Sequence, residues 1–105
     1  MDLSIAIIKA KEYSKLVNSF IEVDRIILFG SHAKGHSKEF SDIDIAIVVK
    51  KLKKDFFEIE PVLWQLRRKI DPLIEPVLID EENDPAGFLD EISKTGIVIY
   101  QALNA

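Results

Sequence analysis

Residues 26–49 read IILFGSHAKGHSKEFSDIDIAIVV. An apolar run stands at each end, a Gly-Ser step follows the first run, and two aspartates one residue apart open the second. Arg25 to Phe29 is short, continuous and rich in isoleucine, which suits a buried strand, and Gly30 stops it. From Ser41 to Val49, alternation puts Ile43, Ile45, Ile47 and Val49 on one face of a second strand and Asp42, Asp44, Ala46 and Val48 on the other. Both carboxylates therefore leave the same side, about 7 Å apart at the usual rise per residue.

Between the strands, Ser31 is placed to cap a short helical turn through Ala33 and Lys34, with Gly35 ending it in a left-handed conformation. A strand, a Gly-Ser turn and a helix start leave backbone N–H groups unpaired beside a hydroxyl, which makes a phosphate-sized anion site. Gly30-Ser31 alone is an ordinary turn. Two ionised carboxylates at the head of an apolar strand repel each other and are costly to desolvate, and a divalent cation offsets both effects. An isolated D-x-D usually just sits in water. Here it follows Gly30-Ser31 closely enough for a hairpin-like return that sets a metal site beside a phosphate site.

Gly30-Ser31-His32-Ala33-Lys34-Gly35 and Ser41-Asp42-Ile43-Asp44 together resemble the G-S-x-A-x-G…S-D-x-D signature of the nucleotidyltransferase superfamily related to DNA polymerase beta. The short chain resembles its minimal nucleotidyltransferase (MNT) branch. The resemblance implies Mg²⁺ held by Asp42 and Asp44, ATP as substrate, and nucleotide contacts from Gly30, Ser31, Lys34 and Ser41. It also implies a third carboxylate on a neighbouring strand, serving the metal or taking the proton of the attacking hydroxyl. Glu75, between Ile74 and Pro76 in an apolar run, is the best match. Asp71 is the fallback, and Glu75 as a plain edge-strand residue stays open. Family members commonly carry arginine where His32 and Lys34 stand, so positive charge near the triphosphate is reduced or more mobile here. His32 and His36 rank as solvent-facing or phosphate-contacting residues ahead of metal ligands.

MNT proteins resemble antitoxins that pair with small helical HEPN-domain toxins, and some transfer AMP to a tyrosine of the toxin. The resemblance thus implies a HEPN-domain partner, met through the exposed tail or through apolar residues outside the core. The competing reading is a weak or inactive nucleotide-binding module that neutralises its partner by contact. Transfer to a small molecule such as an aminoglycoside fits less well, since a chain this short has no room for an acceptor-choosing domain.

The flanks supply the remaining elements. Leu3 to Phe20 has helical spacing, with Ile5, Ile8, Leu16, Val17 and Phe20 as its apolar residues. Lys50, Lys51, Lys53 and Lys54 form a basic cluster that reads as a solvated loop. Asp55 to Ile70 is a helix covering the sheet, limited or kinked by Pro61, with Trp64 in the core and Arg67, Arg68 and Lys69 at its cationic end. In Asp71 to Ile79, Pro72 and Pro76 point to an edge strand. Asp84 caps a helix that opens at Pro85 and stops at Gly96, and Ile97 to Tyr100 closes the chain as a short strand. The expectation is a single α/β domain over residues 1–105, a mixed sheet of about four strands with about three helices.

Composition bounds these readings. At 105 residues the chain buries only a modest core, and 48% hydrophobic with 30% charged residues is ordinary for a folded protein. A formal charge of −4 gives no global attraction to nucleic acid or anionic membranes, so direct nucleic-acid binding is not expected, while oligomers stay open. With no cysteine, metal binding must use oxygen or histidine. No apolar run is long enough to span a bilayer, and a cytoplasmic location is expected.

Overall fold

The computed structural model describes residues 1–103. In chain order the elements are α1 (Leu3–Phe20), β1 (Arg25–Phe29), α2 (Gly30–Lys34), β2 (Ile43–Val49), α3 (Phe56–Leu66) with a 3₁₀ turn (Arg67–Lys69), β3 (Ile74–Asp80), α4 (Phe88–Ser93) and β4 (Ile97–Gln101). The strands form one mixed sheet in the order β3-β2-β1-β4, with β1 antiparallel to β2 and β4, and β3 parallel to β2. This is the expected α/β architecture. The short α2, anticipated as a helical turn, counts as a fourth α-helix.

The sheet buries both faces. Ile26, Leu28, Ile43, Ile45, Ile47 and Ile74 meet α1 and α3 on one side, while Ile27, Ala46, Val48 and Ile79 meet Leu89 and Ile92 of α4 on the other. The two layers account for β2 being apolar at nearly every position after Asp44. On α1 the buried stripe is Ala6, Ala10, Tyr13, Ser14 and Val17, whereas Ile5 and Ile8 are exposed. The helix carries apolar residues on more than one side, and its small alanines bring its backbone close to the sheet, a choice that periodicity cannot make. Tyr13 donates a 2.7 Å hydrogen bond to the Leu63 carbonyl and ties α1 to α3.

Several local expectations shift. Ser31 is not a cap: α2 opens at Gly30, with Phe29 in the cap position and no side-chain bond, while Gly35 closes it at φ 76° as anticipated. Asp55 caps α3 by accepting from the Phe57 amide, Pro61 lies inside that helix, and its last turn tightens into the 3₁₀ turn. Trp64 is only half-buried, with the Arg67 guanidinium 4.7 Å from its ring centroid. Pro76 is accommodated on β3 because β3 is an edge strand. Asp84 does accept from the amides of Phe88 and Leu89, but from outside a helix that starts three residues after Pro85. Gly96 is needed for space: a Cβ there would lie 2.5 Å from Ile27 Cγ2 and 2.6 Å from the Ile92 carbonyl oxygen.

Asp71 is buried at the turn into β3, where it accepts from Lys9 of α1 and from the Leu73 amide. Burial alone would raise its pKa, but the hydrogen bonds from Lys9 and Leu73 and the charge of Lys9 prevail and hold it below the usual value. The fallback carboxylate is therefore engaged in joining α1 to the sheet. Asp71→Ala is expected to cost about 2–3 kcal/mol in urea unfolding at pH 7, less than a fully buried pair because Lys9 reaches solvent. With the folded pKa depressed, this stability is present above the ordinary carboxylate pKa and lost as pH falls through the folded value. The difference between wild type and Asp71→Asn should shrink on acidification.

Candidate functional site

The hairpin-like return sets the geometry. In the β1–β2 ladder Phe29 is the direct partner of Asp44, and in the β2–β3 ladder Asp44 is the direct partner of Glu75. Directly opposed residues share a sheet face, so Phe29, Asp44 and Glu75 stand in a row on the face that α4 covers further along. Glu75 is thus the carboxylate brought beside Asp44, and Asp71 is not. Asp42 lies in the loop one residue before β2, exposed, with its negative charge acting on Asp44.

Gly30 closes the row from above. Its φ is +75°, and a Cβ built there would lie 2.1 Å from Asp44 Oδ2, so the Asp44 carboxylate packs against the bare Cα. Both conditions call for glycine, the conformation and the space. Ser31, next in the chain, is the second residue of α2, and its carbonyl accepts from the His36 amide. Lys34 is exposed at the other end of α2.

Burial, the charges of Glu75 and Asp42, and a hydrogen bond with Glu75 push the Asp44 pKa up to about 6. Carboxylates in this state favour either a proton or a cation between them. The donor set is hard oxygen, which suits Mg²⁺ over zinc, and the missing Gly30 side chain gives the Asp44 carboxylate its room. Among the described residues no three histidine or acidic side chains already converge on a closed metal cage. Mg²⁺ sites built from one or two carboxylates plus substrate phosphates and water do not need one.

Two expected contributors stand elsewhere. The Ser41 hydroxyl accepts from the Lys38 amide at 2.7 Å and closes the loop before Asp42. His32 is not solvent-facing: it is 1% exposed, and among the described residues neither ring nitrogen finds a hydrogen-bond partner, while His36 is exposed. Phe29 went unremarked in the sequence beyond its strand, although its adjacency to Gly30 fixes its place once the return is drawn. A cleft of about 720 Å³ lined by Phe20, Ile21, Leu52, Ile59, Lys50 and Lys53 lies at the opposite end of β1 and β2 from Asp44 and is separate from this row. There the lysine cluster forms ion pairs, Lys50 with Asp24 at 3.9 Å and Lys53 with Glu22 at 3.6 Å.

The polymerase beta nucleotidyltransferase family model matches residues 11–104. The chain belongs to this family. A Methanocaldococcus jannaschii protein provisionally named as a protein adenylyltransferase is 32% identical to this nucleotidyltransferase domain over 93 residues, covering 85% of the chain and 93% of the relative. A provisionally named nucleotidyltransferase from Sulfolobus solfataricus superposes with a TM-score of 0.69 at 25% identity, over 94% of the chain and 83% of that structure. The fold is also that of a toxin–antitoxin crystallised with AMP-PNP (TM-score 0.59, 20% identity, 90% and 73% covered). A mutant of the toxin–antitoxin MntA-HpeT gives a TM-score of 0.58 at 20% identity, with 87% and 71% covered. No helix among the described residues is long and apolar enough to cross a membrane.

Gly30→Ala is expected to lower stability by at least about 2 kcal/mol, since it combines a left-handed non-glycine residue with a clash against Asp44. Asp44 gives the opposite sign. Its folded pKa is raised, so the stability it contributes when protonated is full below about pH 4 and is lost as pH rises through about 6. In the presence of a chelator at pH 7.5, Asp44→Asn should therefore exceed wild type in urea unfolding. The expected gain is about 1 kcal/mol, discounted because the carboxyl is partly solvated, and it should vanish below pH 4.

Proposed function

We propose that this domain is a Mg²⁺-dependent adenylyltransferase that moves AMP from ATP to a hydroxyl of a partner protein. The observation carrying the proposal is the register of Asp44 with Glu75 beside the Gly30 hollow, which gathers negative oxygen ligands at the start of a phosphate-sized turn. Asp42 and Asp44 would hold the metal, with Glu75 as its further oxygen ligand or as the group that takes the acceptor's proton. When bound, Mg²⁺ neutralises the phosphates and stabilises charge on the attacking and leaving oxygens. The backbone N–H groups after Gly30, the Ser31 hydroxyl and Lys34 orient the triphosphate, while Ser41 acts through the loop that presents Asp42.

In the reaction the acceptor oxygen forms a bond to the α-phosphorus of ATP as the bond to pyrophosphate breaks. Where Glu75 serves as the base rather than as a metal ligand, it takes the acceptor proton. The products are an AMP-modified acceptor and pyrophosphate.

The relatives support a protein acceptor. The archaeal relative is named for adenylyl transfer to protein, and two solved neighbours of this fold are toxin–antitoxin assemblies, one crystallised with AMP-PNP. These support a toxin partner for this domain, and the MNT resemblance gives that toxin as a HEPN-domain protein, with this chain as the antitoxin.

Calorimetric titration of ATP with Mg²⁺ into wild type and Asp42→Asn/Asp44→Asn is the direct test. Metal-dependent binding in wild type and its loss in the double variant are expected, followed by label transfer from α-³²P-ATP to the partner. No binding to wild type would remove the stand-alone enzyme and leave neutralisation by contact.

A further inference from the structure

The row on the α4 face begins with an aromatic side chain that the phosphate chemistry does not use. Phe29 is the ladder partner of Asp44, which places their Cα atoms about 5 Å apart. Phe88, the first residue of α4, meets Phe29 edge to face, with ring centroids 5.7 Å apart and planes at 87°. The next residues on the buried side of α4, Leu89 and Ile92, are 9% and 5% exposed, but Phe88 keeps 37% of its surface open. Phe29 thus stands beside Asp44 in the ladder and next to Gly30 in the chain, and the ring it meets, Phe88, is partly open to solvent. A nucleoside triphosphate has the matching asymmetry, an anionic chain with a flat apolar base at its end.

We propose that the Phe29–Phe88 pair is the platform for the nucleobase, with Phe88 supplying the stacking surface and Phe29 holding it in place. The inference rests on the nucleotide-binding reading above and adds the part of the site that recognises the base. Stacking on a phenyl ring accepts any base, because every base has a π-face, and it favours the larger ring. The site therefore takes purine nucleoside triphosphates as a class, with ATP and GTP bound alike and ahead of CTP and UTP. A protein partner seated on Phe88 is the other occupant of such a ring, and the experiment separates the two.

The full chain is titrated calorimetrically with Mg²⁺-ATP and, separately, with Mg²⁺-tripolyphosphate, which has the anionic chain and no base. Wild type, Phe88→Ala, Phe88→Leu and Phe88→Tyr are compared, with urea midpoints reporting folding. The platform predicts about tenfold weaker ATP binding in both Phe88→Ala and Phe88→Leu, unchanged tripolyphosphate binding, and recovery to within about twofold in Phe88→Tyr. Leucine keeps the apolar packing of α4 without a ring, so ATP binding at wild-type strength in Phe88→Leu overturns the platform. Equal losses for ATP and tripolyphosphate overturn it as well. If wild type binds ATP and no Phe88 variant changes it, the base is read elsewhere while the metal and phosphate reading stands. If wild type binds neither ligand, both readings fall.

Discussion

The Asp44 carboxylate is held where a carboxylate is uncomfortable. It is partly buried at the head of a strand that is otherwise core, faces Glu75 across one ladder, and has Asp42 two residues away. Burial and like charge both work against its ionised form. The fold tolerates this because Gly30 yields the space of a side chain, letting Oδ2 rest against a bare Cα. Much of the rest can be read as support for that contact. β1 and β2 must pair antiparallel in one register for Gly30 to meet Asp44, and β3 must run parallel to β2 for Glu75 to arrive beside it.

The support is unevenly placed on the two faces of the sheet. α1 and α3 seal one side with the larger set of buried residues, and Lys9–Asp71 and Tyr13–Leu63 attach those helices to each other and to the turn into β3. Among the described residues, the buried cluster on the other side is smaller, with Leu89 and Ile92 of the six-residue α4 packed on Ile27, Ala46, Val48 and Ile79. That economy leaves the Asp44 end of the second face accessible. The larger buried set lies on the closed face, and the other carries the Asp44–Glu75 pair and the Phe29–Phe88 rings.

This division explains which residues could be judged early. Gly30 and Asp44 are legible because their types answer to local rules: a residue free of a Cβ, and a carboxylate at the head of an apolar strand. Ser31 and Asp84 do not hold the cap positions their types suggest, because capping depends on where a helix begins, and α2 and α4 begin after Phe29 and Gly87. The buried side of α1 could not be chosen from spacing, as isoleucines and alanines both recur at helical intervals and only the distance to the sheet favours alanine. His32 is a different matter. It is buried, and among the described residues neither ring nitrogen has a hydrogen-bond partner that would account for its place.

By itself the sequence determined the α/β class, the break from strand to helix at Gly30, and a pair of acids at the head of an apolar strand, of which Asp44 lies in β2 and Asp42 in the loop before it. These follow from patterns within a few residues of one another, where side-chain alternation and the freedom of glycine act. Only the tertiary structure decided which of Glu75 and Asp71 stands beside Asp44, that Lys9 claims the other, and that Phe88 closes on Phe29 from 59 positions along the chain. Those outcomes depend on strand register and helix docking between distant segments, and no local preference encodes them.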